Sequence, residues 1–232
     1  MLFIILLEER KNMIGIYNYT ILFTLFGTIS GVIGIKEAAL GNIECALFCL
    51  LLCGFFDMFD GMIAKTKKNR SEFELQYGIQ IDSLSDVICF GALPTTIALQ
   101  VTNPLGIFCS LSILYLVATI SRLAYFNVEE AIRRTKETGS RKTYTGLPVT
   151  NAALIFPCLY LLSFWLKENF PLIFLIGTLI TAILHVSKLQ IPHLKIKGLI
   201  ICLLVGLLII SCYLILQMNI RFEQISSFLF YF

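Results

Sequence analysis

Charge is scarce in this chain. Of its 232 residues, 14% are Asp, Glu, Lys or Arg, against 57% hydrophobic residues and a mean hydropathy of +0.84. So little charge cannot cover a water-facing surface, which excludes a soluble domain and predicts an integral membrane protein. Histidine is nearly absent: His185 and His193 lack the spacing of a metal site and are read as structural. No Ser-His-Asp order, phosphate-binding loop or dinucleotide fingerprint is present, and Gly139-Ser140-Arg141 is an ordinary loop. Internal repeats and low-complexity tracts are missing. A disulfide framework is excluded too, because all eight cysteines lie inside apolar runs, where a thiol behaves as a small hydrophobe. Cys45, Cys49 and Cys53 share one helix face and are read as packing residues, since no histidine accompanies them. Residues 1–13 start apolar, are too short to span, and lack a small-residue cleavage site. They are read as an interfacial segment, not a cleaved signal.

Long apolar runs fill the rest. Segments of spanning length lie at about 14–35, 38–64, 72–100, 105–127, 149–166, 171–187 and 198–218. The fold expected is an all-α polytopic transmembrane bundle of about seven spans (six to eight). Residues 14–218 would form one membrane domain and 219–232 a C-terminal tail, with Phe228–Phe232 as an aromatic interfacial anchor. The sequon Asn18-Tyr-Thr20 falls inside a span and is discounted.

Against this apolar background stand four carboxylates, Asp57, Asp60, Asp82 and Asp86, at the ends of two consecutive spans. On a helix, Asp57 and Asp60 are separated by about 4.5 Å along the axis and about 60° around it; Asp82 and Asp86 by about 6 Å and about 40°. Each pair shares a face. An Asp at the centre of a transmembrane helix costs about 2.5–3.5 kcal/mol on insertion scales, so acids there mark function by default. Four would repel one another unless cations lay between them, and carboxylate oxygens suit hard divalent ions such as Mg²⁺ or Mn²⁺. Two ions held together are a recurring device for phosphoryl transfer. Gly61, Ala64 and Gly78 each sit one turn from an Asp on these stripes, leaving room for another backbone or a ligand. The competing reading makes the acids helix caps and the small residues packing elements, but caps do not need four acids in register.

The run Asp57-x-x-Asp60-Gly61-x-x-Ala64-Lys65 followed by Gly78-x-x-x-Asp82-x-x-x-Asp86 resembles the signature of the CDP-alcohol phosphatidyltransferases. Asp82-Ser-Leu-Ser-Asp86-Val-Ile-Cys-Phe90-Gly91-Ala-Leu-Pro94, Arg122-Leu-Ala-Tyr-Phe126-Asn127, Tyr144-Thr-Gly146-Leu-Pro148 and, more weakly, Ser187-Lys-Leu-Gln-Ile-Pro192 are similar to the phosphatidylserine synthase branch. The resemblance runs from about residue 50 to 195. It implies transfer of a phosphatidyl group from CDP-diacylglycerol to L-serine with release of CMP. It further implies two Mg²⁺ or Mn²⁺ ions on Asp57, Asp60 and Asp82, with Asp86 completing the cluster and serving as general base. Gly61, Ala64 and Gly78 would border the CDP-diacylglycerol that Asp57 helps to hold, and Lys65 would support its phosphates. A homodimer is a further family expectation. Two departures bear on this reading. Lys65 stands where the family has Arg, offering a point charge in place of a bidentate grip. Residues 66–77 make the connection about one helical turn longer than the family's.

The Lys and Arg residues predict topology. Arg10 and Lys11, then Lys65, Lys67, Lys68 and Arg70, then Arg133, Arg134, Lys136, Arg141 and Lys142, then Lys188, Lys195 and Lys197 fall on alternate connections. The intervening ones carry only Lys36, none and Lys167, so the N-terminus and the acidic mouth are expected on the cytoplasmic side. Most of these cations are read as topology signals and anionic-lipid contacts, not as a nucleic-acid surface. Arg122 differs, lying late in an apolar run: it is either a ligand contact or the structural partner of an Asp. With Arg133, Arg134, Arg141 and Lys142 it is a candidate for the serine carboxylate. Other acceptors of the same chemistry (glycerol 3-phosphate, inositol or inositol phosphate) remain open, as does a metal or lipid transporter. The latter is disfavoured because the acids sit at one mouth and not at the midplane.

Overall fold

The structure is a computed structural model describing residues 14–16, 18–64, 66–67, 70–136 and 143–192, with isolated positions 205, 208 and 211. The expectations for 1–13, for most of the segment 198–218 and for 219–232 lie outside the described residues.

Helix α1, Tyr19–Ala39, begins where the Asn18 side chain accepts from the backbone N–H groups of Thr20 and Ile21, satisfying two otherwise orphaned donors. It runs antiparallel to α2, Ile43–Ala64. As the number falls on one helix it rises on the other: Ser30 Oγ donates to Cys49 O (3.1 Å), Thr24 to Asp60 (3.0 Å), and Tyr19 meets Thr66 (3.1 Å). The close approach depends on missing side chains. A Cβ on Gly34 would lie 2.8 Å from the Cβ of Cys49.

Helix α3, Glu72–Asp86, opens on a capping box between Ser71 and Glu74, reinforced by the Lys67–Glu74 ion pair at 2.6 Å. The expected span 72–100 is helical throughout but changes its pitch. Val87–Ala92 winds as a π-helix before α4, Leu93–Thr102, resumes the α-helical pitch. A 3₁₀ segment, Asn103–Ser112, then turns at Gly106, whose φ of 61° and ψ of −130° suit a residue without a Cβ. Helix α5, Ile113–Lys136, returns antiparallel to α3 and α4. Thr102 meets Ser112, Tyr115 bonds Phe90 and Asn127 bonds Ser83.

After strand β1, Thr143–Thr145, a 3₁₀ turn at Val149–Asn151 leads to α6, Ala152–Leu161, and the single turn α7, Ser163–Leu166. The backbone breaks at Lys167 (φ 43°), and α8, Phe170–Val186, packs back along α6 through Phe156–Phe174 and Tyr160–Phe170. Strand β2, Gln190–Pro192, pairs antiparallel with β1, matching Thr143 with Pro192 and Thr145 with Gln190. The helical expectation holds, with this one short strand pair added to it. Both strands lie in connections outside the apolar runs, where no helix competes for their backbone groups.

The deepest core lies where α4, α5, α6 and α8 meet, with Phe90, Leu93, Ile97, Tyr115, Phe156 and Phe174 fully buried. Large apolar side chains such as Phe108, Val117, Trp165 and Ile183 point outward. Four helical stretches, Tyr19–Ala39, Ile43–Ile63, Glu72–Arg133 and Val149–Val186, are long and apolar enough to cross a membrane. The protein is a helical membrane protein.

Candidate active site

Three of the four aspartates converge. Asp57 projects from the last two turns of α2, and Asp82 and Asp86 from the last turns of α3. One oxygen from each carboxylate lies within 4.8 Å of the others. The spacing of four between Asp82 and Asp86 puts both on one helix face, and the pairing of helices brings that face to Asp57. Three half-buried carboxylates at this separation repel unless a cation or shared protons lie between them. The donors are all oxygen and grouped tightly enough for one divalent ion to touch all three, so the residues present fit Mg²⁺ or Mn²⁺.

Asp60 lies outside this tight group. Its Oδ2 accepts a hydrogen bond from Thr24 Oγ1 of α1 at 3.0 Å, and the residue is only 9% exposed. One turn deeper, Thr28 Oγ1 meets Ser85 Oγ at 2.7 Å, and Ser85 also donates to Thr24 O. Helix α1 thus braces both acidic helices with hydroxyls, a role not recognised from the sequence; Thr24 and Thr28, one turn apart in an apolar span, were the available signal.

The two glycines of the acidic stripes behave unlike the packing glycines. A Cβ on Gly54 would lie 2.7 Å from Ala153 Cβ, whereas a Cβ on Gly61 or Gly78 would meet nothing within 4 Å among the described residues. Protein packing therefore does not require glycine at either position, and the space beside them is open. Ala64 ends α2. Lys65 lies outside the described residues.

Helix α5 forms another wall. Asn127 Nδ2 donates to Ser83 Oγ at 2.8 Å, fixing α5 next to Asp82. Arg122, five residues earlier, is buried, with its guanidinium 5.4 Å from the Phe126 ring centre. Gly146 packs against it: a Cβ there would sit 3.3 Å from Arg122 Nε and 2.6 Å from His185 O, and φ of +76° independently favours glycine. His185, fully buried against Thr119 and Tyr115, has the structural setting expected of it. Arg133 is engaged by Glu130 through two hydrogen bonds, at 2.7 and 3.0 Å. Arg134 follows it on α5, while Arg141 and Lys142 lie outside the described residues.

The helices of this membrane protein bring three carboxylates together, with space beside Gly61 and Gly78 that the described residues leave open. The family model described as CDP-alcohol phosphatidyltransferase matches residues 12–186. The chain is 32% identical over 178 residues to the CDP-diacylglycerol–serine O-phosphatidyltransferase of Bacillus subtilis, covering 75% of this chain and 89% of that protein. It is 29% identical to the Helicobacter pylori (strain 26695) protein of the same name, covering 78% and 74%. It is 28% identical to the archaetidylserine synthase of Methanothermobacter thermautotrophicus, covering 76% and 70%. The chain belongs to the CDP-alcohol phosphatidyltransferase family.

Proposed function

We propose that this protein transfers the phosphatidyl group of CDP-diacylglycerol to L-serine, giving phosphatidylserine and CMP. The observation that carries the reading is the convergence of Asp57, Asp82 and Asp86 on one point beside the open space at Gly61 and Gly78. The relatives support serine as acceptor, because bacterial and archaeal proteins whose names differ in the lipid share the serine.

Asp57, Asp60, Asp82 and Asp86 would hold two divalent ions, Mg²⁺ or Mn²⁺. When bound, such ions neutralise the pyrophosphate and the charge that builds on departing CMP. The protein's own groups do the rest. The small residues Gly61, Ala64 and Gly78 would admit the CDP headgroup, and Lys65 would support its phosphates. Arg122 takes the serine carboxylate. Asp86 accepts the proton from the serine hydroxyl as that oxygen bonds the phosphatidyl phosphorus. The bond from this phosphorus to the bridging oxygen breaks, and the electron pair leaves with CMP. The displacement is single and in line, with the serine hydroxyl as the nucleophile.

The same reading places the site at the cytoplasmic surface, where CDP headgroups and serine meet, while the acyl chains stay in the bilayer. The chain reverses at Gly106 and again near Lys167, which supports two crossings for each of the two longest apolar stretches. With a further span at 198–218 the domain of residues 14–218 would have seven crossings. It would work as a homodimer. A phosphorylated acceptor is disfavoured, since it would need an additional cluster of arginines and Arg133 is already engaged by Glu130.

The test is purified protein with labelled CDP-diacylglycerol, Mg²⁺ or Mn²⁺, and serine, glycerol 3-phosphate, inositol or inositol phosphate in turn. Serine-dependent CMP release with labelled phosphatidylserine is expected. Turnover with another acceptor alone refutes the serine assignment.

A further inference from the structure

Directly behind Asp86 the helix changes its winding. In the π-helical segment Val87–Ala92 hydrogen bonds reach back five residues, as the Leu93 N–H does to Ile88 O. Such a segment accommodates about one residue more than an α-helix over the same length, equivalent to a rotation of about 100° between the flanking parts. It separates two halves with different duties. Beyond it, Leu93, Ile97, Ala98 and Thr102 are fully buried and anchor α4 in the core. Before it, Asp82 and Asp86 must face Asp57 on α2. With α4 held fast, the winding of Val87–Ala92 sets the direction in which these two carboxylates point.

Three hydroxyls donate to carbonyls of that segment. Tyr115 OH donates to Phe90 O at 2.8 Å, Thr95 Oγ1 to Gly91 O at 2.8 Å, and Thr96 Oγ1 to Ala92 O at 2.9 Å. Three consecutive carbonyls each receive a side-chain donor. The two threonines are part of the same helix, four residues on. Tyr115 reaches in from α5 and is wholly buried, its ring clamped by Phe156 at 5.1 Å and His185 at 5.2 Å. Gly91 lets α5 come this close, since a Cβ there would sit 3.0 Å from Leu116 Cδ1.

We infer that Tyr115 is a positioning residue for the acidic site: by holding Phe90 O, its hydroxyl maintains the π-helical register that aims Asp82 and Asp86 at Asp57. This rests on the proposed function for its kinetic readout but not for its ion-binding readout. Removing the hydroxyl lets the segment relax toward α-helical winding and turns the two acids away from Asp57. Groups that orient metal ligands are worth about ten- to a hundredfold in affinity or activity.

The test compares full-length wild type, Tyr115→Phe, Thr95→Val and Phe156→Leu in identical nanodiscs. Three quantities are read: thermal unfolding, Mn²⁺ affinity from the electron paramagnetic resonance of free ion without substrate, and steady-state kinetics with serine. Tyr115→Phe is expected to keep the wild-type KM for both substrates within about twofold. Its kcat should fall about tenfold and its Mn²⁺ binding should weaken by a similar factor. Thr95→Val should show the same pattern more mildly. Phe156→Leu loosens the packing around the same ring without touching the hydroxyl. It should lower the unfolding temperature while costing kcat and Mn²⁺ affinity less than Tyr115→Phe does. Wild-type Mn²⁺ affinity and kcat in Tyr115→Phe overturn the inference, as does an identical loss in Phe156→Leu. If Tyr115→Phe does not fold, Thr95→Val decides by the same criteria. If wild type releases no CMP with serine, the functional proposal fails, and the Mn²⁺ comparison still decides this inference.

Discussion

Asn127 on α5 donates its amide proton to the hydroxyl of Ser83 on α3 at 2.8 Å, and Ser83 stands directly after Asp82. The bond ties the helix that carries Arg122 to the helix that carries two of the three clustered acids. Between Asn127 and Arg122 lie about 7.5 Å of helix, so a small pivot at Ser83 moves the guanidinium relative to the carboxylates. Asn127→Ala removes a hydrogen bond worth about 0.5–1.5 kcal/mol in stability. The expected result is a folded protein with a serine KM raised about tenfold. KM for CDP-diacylglycerol should hardly move. Steady-state kinetics with each substrate varied in turn check this, and an equal loss for both would place the bond outside acceptor binding.

Asp57→Asn and Asp82→Asn each remove one charge from a group whose oxygens lie within 4.8 Å. Less mutual repulsion remains, so neither should unfold the bundle. Both should abolish turnover, as should chelation of wild-type protein with EDTA, reversed by Mg²⁺ or Mn²⁺. CMP release within about tenfold of wild type at saturating metal, for either variant, would sink the divalent-ion reading.

Gly54 and Gly61, seven residues apart on α2, should respond oppositely to the same substitution. Gly54→Ala drives a methyl to 2.7 Å from Ala153 Cβ, and overpacking of this kind costs about 1–3 kcal/mol. Gly61→Ala meets nothing within 4 Å among the described residues and adds helix propensity, a gain of up to about 1 kcal/mol. The expected outcome is a lower unfolding temperature for Gly54→Ala. Gly61→Ala should be as stable as wild type or more so, with weakened CDP-diacylglycerol binding. Unchanged lipid affinity in Gly61→Ala would mean that the headgroup does not enter the open space.

Arg122→Ala removes a buried guanidinium beside Gly146 and Phe126. A charge-assisted hydrogen bond to the serine carboxylate is worth about 1.5–3 kcal/mol, so the serine requirement should rise about ten- to a hundredfold. CDP-diacylglycerol affinity should change much less. Equal loss of both substrates, or loss of folded protein, would make Arg122 a structural residue. The acceptor-binding cation would then be sought at Arg134, Arg141 or Lys142.

The sequence by itself determined the class of protein and the faces of its helices. Apolar runs of spanning length leave few alternatives to a helical bundle, because a backbone in lipid must satisfy its own hydrogen bonds. Helical periodicity then placed Asp82 and Asp86 on one stripe, and Asp57 and Asp60 on another, before any contact was known. What periodicity cannot supply is the rotation of one helix against the next. Only the tertiary structure decided that Asp57 joins Asp82 and Asp86 while Asp60 is held by Thr24, and that Arg133 is engaged by Glu130. It also separated Gly54, pressed against Ala153, from Gly61, beside open space, although both stand in the same apolar helix. The change of winding at Val87–Ala92 was illegible for a related reason. The residues Val-Ile-Cys-Phe-Gly-Ala suit an α-helix or a π-helix, and the choice is made by partners such as Tyr115, 25 residues away on another helix.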